Sequence, residues 1–130
     1  MAQSRNRRIL VVDDEALVRM LLAEHLQSLG FTVDEAATAQ EAVDQMRACD
    51  EGIGAAVIDF GLPDRKGDVL AAELRALDPQ LPLIVASGYG DSLGQERFSP
   101  GPVEFLTKPF ELKALEDLLR SFGFDLPACE

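Results

Sequence analysis

The centre of the predicted fold is the segment Ala55-Ala56-Val57-Ile58-Asp59-Phe60-Gly61-Leu62-Pro63-Asp64. Its first four residues are apolar, a glycine precedes them, and Gly61 and Pro63 follow shortly after. An apolar run with these boundaries predicts a strand buried on both faces, as in the middle of a parallel sheet. Asp59 is then the last residue of that strand. Because ligands of open α/β sheets bind at the carboxyl ends of strands, Asp59 either belongs to such a site or simply begins a turn.

The composition is that of one domain with an excess of acidic residues. The 130 residues are 47% apolar and carry a formal net charge of −11, which is enough chain for one hydrophobic core. The basic cluster of Arg5, Arg7 and Arg8 is typical of a solvated tail. The apolar stretch that follows this cluster is too short for a secretory signal, and no apolar run reaches the about 20 residues that span a bilayer. The two cysteines are scattered. We therefore expect a cytoplasmic protein that binds neither nucleic acid nor a membrane.

Apolar runs alternate with helical patterns along the rest of the chain. Strands are expected at residues 9–12, 32–36, 55–59, 81–86 and 103–107, the second of them polar enough for a sheet edge. The first helix is expected from residue 16 to Gly30, and the second from a capping box at Thr38 to about residue 49. The third is expected between the loop 61–67 and residue 77, the fourth at 91–98 and the fifth from 112 to 122. Five strands and about five helices predict a parallel sheet with helices on both faces, and spacing alone leaves the strand order open.

The apolar stripes of two helices can be assigned from their helical spacing. The first helix is expected to pack through Val18, Leu22, Leu26 and Leu29. The third is marked by Val69, Leu70, Leu74 and Leu77. The segment 91–98 contains Gly94 and follows Gly90, so we expect a short or mobile helix there.

Polar side chains follow the predicted strands where each strand ends. Asp13 and Asp14 come after the first strand, Asp59 ends the third, Ser87 follows the fourth and Lys108 follows the fifth. These ends lie along one edge of a parallel sheet, so the five side chains can share a pocket. Each also has a plain structural interpretation, as a helix start, a turn, a loop hydroxyl or a surface lysine. Their joint occurrence at strand ends favours a site.

The charges of this set indicate its chemistry. Two unit charges about 4 Å apart repel by about 4 kcal/mol at an effective dielectric constant of 20, so three carboxylates in one pocket need a cation or a proton. Oxygen ligands without His or Cys nearby favour Mg²⁺, with Mn²⁺ as a substitute. A carboxylate beside a metal, a hydroxyl and a lysine is suited to attack on a phosphoryl group, and an aspartyl phosphate would result.

Four motifs together resemble the receiver domain of two-component response regulators. They are Val-Val-Asp-Asp-Glu at 11–15, Asp-Phe-Gly-Leu-Pro-Asp-Arg-Lys-Gly at 59–67, Ala-Ser-Gly at 86–88 and Lys-Pro-Phe at 108–110. The resemblance covers residues 7–122, between short tails at 1–6 and 123–130. It implies a flavodoxin-like (βα)5 three-layer α/β sandwich with a parallel five-stranded sheet in the order 2-1-3-4-5.

The resemblance also implies roles for the acidic residues. Asp59 would be the phosphoacceptor, with a sensor histidine kinase or a histidine phosphotransfer protein as donor. Asp14 and Asp59 would bind Mg²⁺ directly, Asp13 through a water molecule and Gly61 through its backbone carbonyl. The domain would catalyse its own phosphorylation and dephosphorylation, and it is expected to be a signalling domain rather than an enzyme with a separate substrate.

The resemblance assigns a phosphoryl-binding role to Lys108 and a switch role to Ser87, which would turn in to bond the phosphoryl group. Phe105 stands at the switch position where the family often has tyrosine, so it can rotate inward behind Ser87 but has no hydroxyl. Tyr89, next to Gly88, places a bulky ring at the pocket mouth. We expect it to slow the access of water or small donors, so that Tyr89→Ala changes the dephosphorylation rate.

Phosphorylation is expected to switch the surface that binds a downstream protein target. It adds about −1.5 to −2 charges at Asp59. Ser87 and Lys108 would move to meet them and draw the Gly-rich segment 88–94 along. The readout surface would be the fourth helix, the fifth strand and the fifth helix, on a monomer or a weak dimer.

Three alternatives stay open at this point. A phosphatase of the haloacid-dehalogenase type also combines Asp, Ser or Thr, Lys and Mg²⁺, but its nucleophile opens an Asp-x-Asp motif on the first strand, whereas Gly61 stands two residues after Asp59. A degenerate receiver would serve only as a docking module. A receiver excised from a hybrid histidine kinase is the third alternative; the initiating Met and the untagged start favour a single-domain regulator.

Overall fold

The computed structural model describes residues 6–49, 52–88, 101–108 and 110–126. These residues form a sheet of five parallel strands in the order β2-β1-β3-β4-β5. The strands are β1 Arg8–Val12, β2 Thr32–Ala36, β3 Ala55–Asp59, β4 Leu83–Ser87 and β5 Val103–Thr107. The helices of this part of the chain are α1 Ala16–Ser28, α2 Ala39–Ala48, α3 Gly67–Leu77 and α4 Leu112–Ser121. The expected fold class and strand order are confirmed, and the helix expected at 91–98 lies outside the described residues.

The sheet is the middle layer of a three-layer sandwich. Successive side chains of a strand point to opposite faces, so β1 and β3 supply both cores with apolar residues. On one face the core includes residues of α2 and α3, among them Leu10, Ile58, Val43, Leu70 and Leu74. On the other it includes residues of α1 and α4, among them Val11, Val57, Leu22, Leu26 and Leu115. All five residues of β3 are buried, which is why its sequence is apolar up to Asp59.

The first turn of α2 shows how local sequence sets an element boundary. The Thr38 hydroxyl accepts the backbone N–H of Glu41 at 3.1 Å, as the capping-box spacing predicts. The Glu41 carboxylate accepts the N–H of Ala37 at 2.9 Å, one residue earlier than a standard capping box. The helix begins at Ala39, where the pattern placed it.

The buried side of α3 is narrower than the apolar pattern of its sequence. The helix that this pattern predicts is present, but of the four residues that mark it Leu70 and Leu74 are buried, whereas Val69 and Leu77 are exposed. Arg75 takes a buried position instead. Its Nε and Nη2 donate to the carbonyl of Leu81 at 3.3 and 3.2 Å, Nη2 also donates to the carbonyl of Pro102, and burial lowers its pKa. A guanidinium can be buried here because loop carbonyls accept its hydrogen bonds.

The ends of the described chain pack on the α1–α4 side of the sheet. Phe124, placed in the C-terminal tail from the sequence, is buried, and its ring contacts that of Phe31 edge to face with 5.4 Å between centroids. The Arg7 guanidinium lies 4.3 Å from the centroid of Phe31 and donates to the carbonyl of Asp125 at 2.9 Å. Within the residues described, no helix combines the length and the apolar character that crossing a membrane requires.

Candidate functional site

Three of the predicted site residues meet at the carboxyl edge of the sheet. Asp13 follows β1, Asp59 ends β3 and Lys108 follows β5. The Lys108 Nζ donates to Asp59 Oδ1 at 3.1 Å and lies 3.5 Å from Asp13 Oδ2. The strand order explains this geometry, because β3 and β5 flank β4. The resulting distance of about 10 Å between the two strands is one that a lysine side chain can cross.

Asp13, Asp14 and Asp59 form an acidic cluster at this edge. One carboxylate oxygen from each residue can be chosen so that all of them lie within 4.8 Å of one another. Asp13 and Asp59 are only 3% and 9% exposed, whereas Asp14 is exposed. Three carboxylates against one ammonium leave an excess of negative charge in their ionised forms. A donor set made only of oxygen atoms fits a hard divalent cation such as Mg²⁺.

The electrostatics of the cluster keep Lys108 in its charged form. Burial raises the pKa of Asp13, against the opposing effects of Lys108 and of the Glu15 backbone N–H, which donates to Asp13 Oδ1 at 2.9 Å. Burial also acts to lower the pKa of Lys108, but the hydrogen bond to Asp59 and the charges of Asp59 and Asp13 outweigh it, so that this pKa is raised. The ammonium is therefore available to pair with an anionic group beside Asp59.

Gly61 lies in the loop that joins β3 to α3, two residues after Asp59. Its backbone N–H donates to Asp59 Oδ1 at 3.4 Å, and the N–H of Phe60 donates to the carbonyl of Ala86 at 2.8 Å. The N–H of Gly67 donates to the carbonyl of Phe60 at 2.9 Å. A Cβ at Gly67 would lie 2.9 Å from Phe60 Cα, so this close approach requires glycine. The Gly61 carbonyl is thus carried by a loop with fixed ends.

Ser87 ends β4, the strand between β3 and β5. The register pairs Asp59 with Ala86 and Ser87 with Thr107. Ser87 is therefore one position beyond the residue that faces Asp59. The backbone N–H of Lys108 donates to the carbonyl of Ser87 at 2.7 Å, which ties the ends of β4 and β5 together.

The other predicted site residues are Phe105, Gly88 and Tyr89. Phe105 lies opposite Val85 in the register of β5 with β4 and packs, partly buried, against the core on the α2–α3 side. Gly88 follows β4 and is exposed. Tyr89 and the rest of the Gly-rich segment lie outside the described residues, so the role of Tyr89 in access stays a prediction.

A groove of about 970 Å³ opens beside Lys108, and the sequence analysis missed it. Its lining includes Val18, Leu21 and His25 of α1 together with Lys108 and Phe110. On the outer side of α1, Leu17, Met20 and Leu21 are 68%, 57% and 53% exposed. The sequence did contain a signal, because these three apolar residues fall outside the stripe that packs α1 on the sheet.

Asp64 is a second residue whose role the sequence analysis missed. It lies in the β3–α3 loop, and its carboxylate accepts the backbone N–H groups of Ala39 at 2.9 Å and Gln40 at 3.0 Å. These are the first N–H groups of α2, which have no partner within the helix. The hydrogen bond from Ala39, together with that from Gln40, lowers the pKa of Asp64. An exposed carboxylate thereby links the loop of Gly61 to another helix.

This lowered pKa predicts a stability difference that depends on acid pH. Asp64 stabilises the fold above its unfolded-state pKa of about 3.8, and the contribution is lost as pH falls through the lower folded-state pKa. We expect Asp64→Asn to lower the free energy of unfolding by about 0.5 kcal/mol at neutral pH, a small value because the carboxylate is exposed. Urea unfolding of wild type and Asp64→Asn at about pH 7 and pH 2.5 should show a smaller difference in the free energy of unfolding at the lower pH. A difference that grows in acid would contradict this prediction.

The fold and the site define an α/β domain with an acid–lysine pocket at the carboxyl edge of a parallel sheet. The profile of the response regulator receiver domain matches residues 9–120. The chain therefore belongs to the response regulator receiver family, and it is a receiver domain of two-component signalling.

Curated relatives are longer proteins that contain a similar segment. The chain is 37% identical over 113 residues to the sensor kinase CckA of Brucella abortus (strain 2308), an alignment covering 86% of this chain and 12% of CckA. It is 35% identical over 123 residues to the two-component response regulator PhoP of Pseudomonas aeruginosa, covering 90% of this chain and 54% of PhoP. The chain thus spans about half or less of the length of these relatives.

Solved receiver domains share the fold. The receiver domain of the hybrid histidine kinase CckA superposes with a TM-score of 0.75 at 30% identity, covering 88% of this chain and 97% of that one. The response regulator protein TrrA of Thermotoga maritima, solved in complex with Mg²⁺ and BeF, superposes with a TM-score of 0.75 at 27% identity and the same coverage.

Proposed function

We propose that this receiver accepts a phosphoryl group on Asp59 from a phosphohistidine, in a reaction that depends on Mg²⁺. The donor would be a sensor histidine kinase or a histidine phosphotransfer protein. The observation that carries the proposal is the Lys108 Nζ at 3.1 Å from Asp59 Oδ1, next to a cluster of three carboxylates. A buried carboxylate with an ammonium at bonding distance is a nucleophile beside a group that can bind the arriving anion.

In the proposed step, an Asp59 oxygen attacks the phosphorus of the phosphohistidine. The P–N bond breaks, and its electron pair stays on the imidazole nitrogen of the donor. Lys108, held charged by its neighbours, binds a phosphoryl oxygen, and the Ser87 hydroxyl donates a hydrogen bond to another. Hydrolysis of the aspartyl phosphate would return Asp59 to its free form.

The metal site of the proposal consists of Asp14 and Asp59, with Asp13 through a water molecule and Gly61 through its carbonyl. When bound, Mg²⁺, or Mn²⁺ in its place, would neutralise charge on the phosphoryl oxygens. The close approach of the three carboxylate oxygens supports this assignment. The complex of the relative TrrA with Mg²⁺ and BeF supports it too.

The proposed output is a change of the surface that follows Ser87 and Lys108 along the chain. Ser87 and Lys108 would move toward the phosphoryl group, and Phe105 would turn inward behind Ser87 to alter the face of β5. A downstream protein would read the surface of β5 and α4; the part of the predicted readout surface that concerns residues 91–98 lies outside the described residues. The net charge of −11 supports a protein partner rather than direct contact with nucleic acid or an anionic membrane. The proposal includes a cytoplasmic location, where the phosphohistidine donor would act.

We further propose that the phosphodonor protein docks on α1. A donor whose phosphohistidine reaches Asp59 must cover the surface around the site, and the groove continues from Lys108 to α1. Leu21 lines this groove, and it is exposed together with Leu17 and Met20 of the same helix. An apolar surface of this kind beside a polar site is typical of a protein interface.

Leu21→Glu should therefore slow phosphotransfer from a protein donor and spare transfer from a small one. We expect a decrease of about 10-fold with a phosphorylated histidine phosphotransfer protein, the cost of one interface anchor, and less than about a twofold change with acetyl phosphate. Val69→Glu, an exposed apolar residue of α3, is the matched control. Equal slowing with both donors, or none with the protein donor, would count against docking on α1.

Intact-protein mass spectrometry after incubation with acetyl phosphate and Mg²⁺ tests the proposed function as a whole. We expect the wild type to gain the mass of one phosphoryl group. A chain that gains none under conditions where a known receiver is labelled would be a docking module instead. Sustained turnover of a phosphate monoester would favour the phosphatase alternative.

A further inference from the structure

The Gly61 carbonyl, a ligand in the proposed function, has no side chain that could hold it in place. Its position depends on the backbone of the β3–α3 loop. One end of that loop is fixed by β3 and by the hydrogen bond from Phe60 to Ala86. Leu62 is buried in the core on the α2–α3 side.

The other part of the loop is attached to α2 by a side chain. Asp64 accepts the N–H groups of Ala39 and Gln40 at 2.9 and 3.0 Å. The neighbouring Arg65 extends the same attachment, since its guanidinium contacts Gln40 Oε1 and Glu73 Oε1. Two successive residues thus bind the loop to the start of α2 and to α3.

The hydrogen bonds of Asp64 would not be expected for a residue that only terminates a turn. The Thr38 hydroxyl already accepts the N–H of Glu41, so α2 has its own cap. Asp64 adds a second acceptor from a different element, and it bonds two N–H groups at once. Because the carboxylate is exposed, removing it lets water reach the two N–H groups, so the fold should persist in a variant.

We propose that Asp64 is a positioning residue for the metal site, which holds the loop backbone that carries the Gly61 carbonyl. This inference rests on the proposed function. Groups that orient metal ligands typically change metal affinity by about 10- to 100-fold when they are removed. Asp64 acts on one ligand of several, so the lower end of that range applies.

Magnesium titration of the full chain, followed by amide NMR, tests this role. We expect Asp64→Ala to raise the Kd for Mg²⁺ about 10-fold, and Asp64→Asn, which keeps one acceptor oxygen, to raise it less. Asp117→Ala is the matched control, because Asp117 is an exposed acid on α4 whose carboxylate accepts a hydrogen bond from the Arg120 side chain. Without metal, the Gly61 amide should exchange with solvent faster in Asp64→Ala than in the control.

Salt distinguishes positioning from a long-range loss of negative charge. At about 1 M salt, charge effects beyond about 3 Å are screened. The difference in the Kd for Mg²⁺ between Asp64→Ala and wild type should persist there, because it depends on the position of the loop. A Kd for Mg²⁺ that changes equally in the Asp117→Ala control, or a difference in Kd between Asp64→Ala and wild type that vanishes in salt, overturns the inference and leaves the proposed function intact. A wild type that does not bind Mg²⁺ at all overturns the proposed function, and the inference with it.

Discussion

Replacing Asp59 by asparagine is expected to abolish phosphoryl incorporation from acetyl phosphate. The carboxamide has nearly the same shape as the carboxylate, but its oxygen carries no charge and its nitrogen is not nucleophilic. It also removes one of the three carboxylates that approach within 4.8 Å. Intact mass measured over time should show labelling of the wild type and only background labelling of the variant.

Asp44→Asn provides the control for this loss, because it makes the same chemical change at an exposed position on α2. We expect it to be labelled at the wild-type rate. Labelling of Asp59→Asn at a comparable rate would mean that another residue is the acceptor. In that case the short distance between Lys108 and Asp59 would have a structural meaning only.

The second large effect is expected for Lys108→Met, which keeps most of the length of the side chain and removes the charged Nζ. The Nζ is 3.1 Å from Asp59 and 3.5 Å from Asp13, so the variant loses the group that would bind the arriving phosphoryl oxygen. Losing one preorganised electrostatic contact of this kind lowers a rate by about 10²–10³-fold. The rate of labelling by acetyl phosphate should fall by about that factor.

Lys113→Met is the matched control, since Lys113 lies exposed on α4 and its replacement changes the net charge by the same amount. A circular dichroism spectrum should show that Lys108→Met stays folded. An unchanged labelling rate in folded Lys108→Met would remove lysine from the proposed step. A loss shared by the Lys113 control would point to net charge instead of position.

Much of the fold could be predicted from the sequence because each buried strand is an apolar run with a sharp end. The run before Asp59 is apolar since β3 is buried on both faces, and the polar β2 lies at the sheet edge as expected. The strand order is a different case. It followed from the resemblance of the motifs to a family, since spacing does not encode which strands are neighbours.

The face of α3 shows where periodicity is insufficient. Val69 and Leu77 are apolar but exposed, whereas the charged Arg75 is buried. Arg75 is buried because two carbonyls, those of Leu81 and Pro102, accept its hydrogen bonds. Both carbonyls lie outside α3, so the pattern of α3 by itself contains no trace of them.

The acids and the lysine of the site could be predicted to converge because parallel strands end at one edge. Contacts between loops and helices could not. Asp64 bonds to Ala39 and Gln40, a pairing that depends on how α2 sits beside α3. The exposed apolar residues of α1 were visible in the sequence, but their meaning depends on the position of the groove beside Lys108.

Asp59 is proposed to be a metal-dependent phosphoacceptor that acts together with Asp13, Asp14 and Lys108. Chemical trapping of the labelled wild type tests this proposal. Borohydride reduces an aspartyl phosphate to homoserine, and peptide mass spectrometry locates the converted residue. We expect homoserine at position 59 after labelling with Mg²⁺, and little conversion when a chelator replaces the metal. Conversion at another residue, or equal conversion without divalent metal, would contradict it.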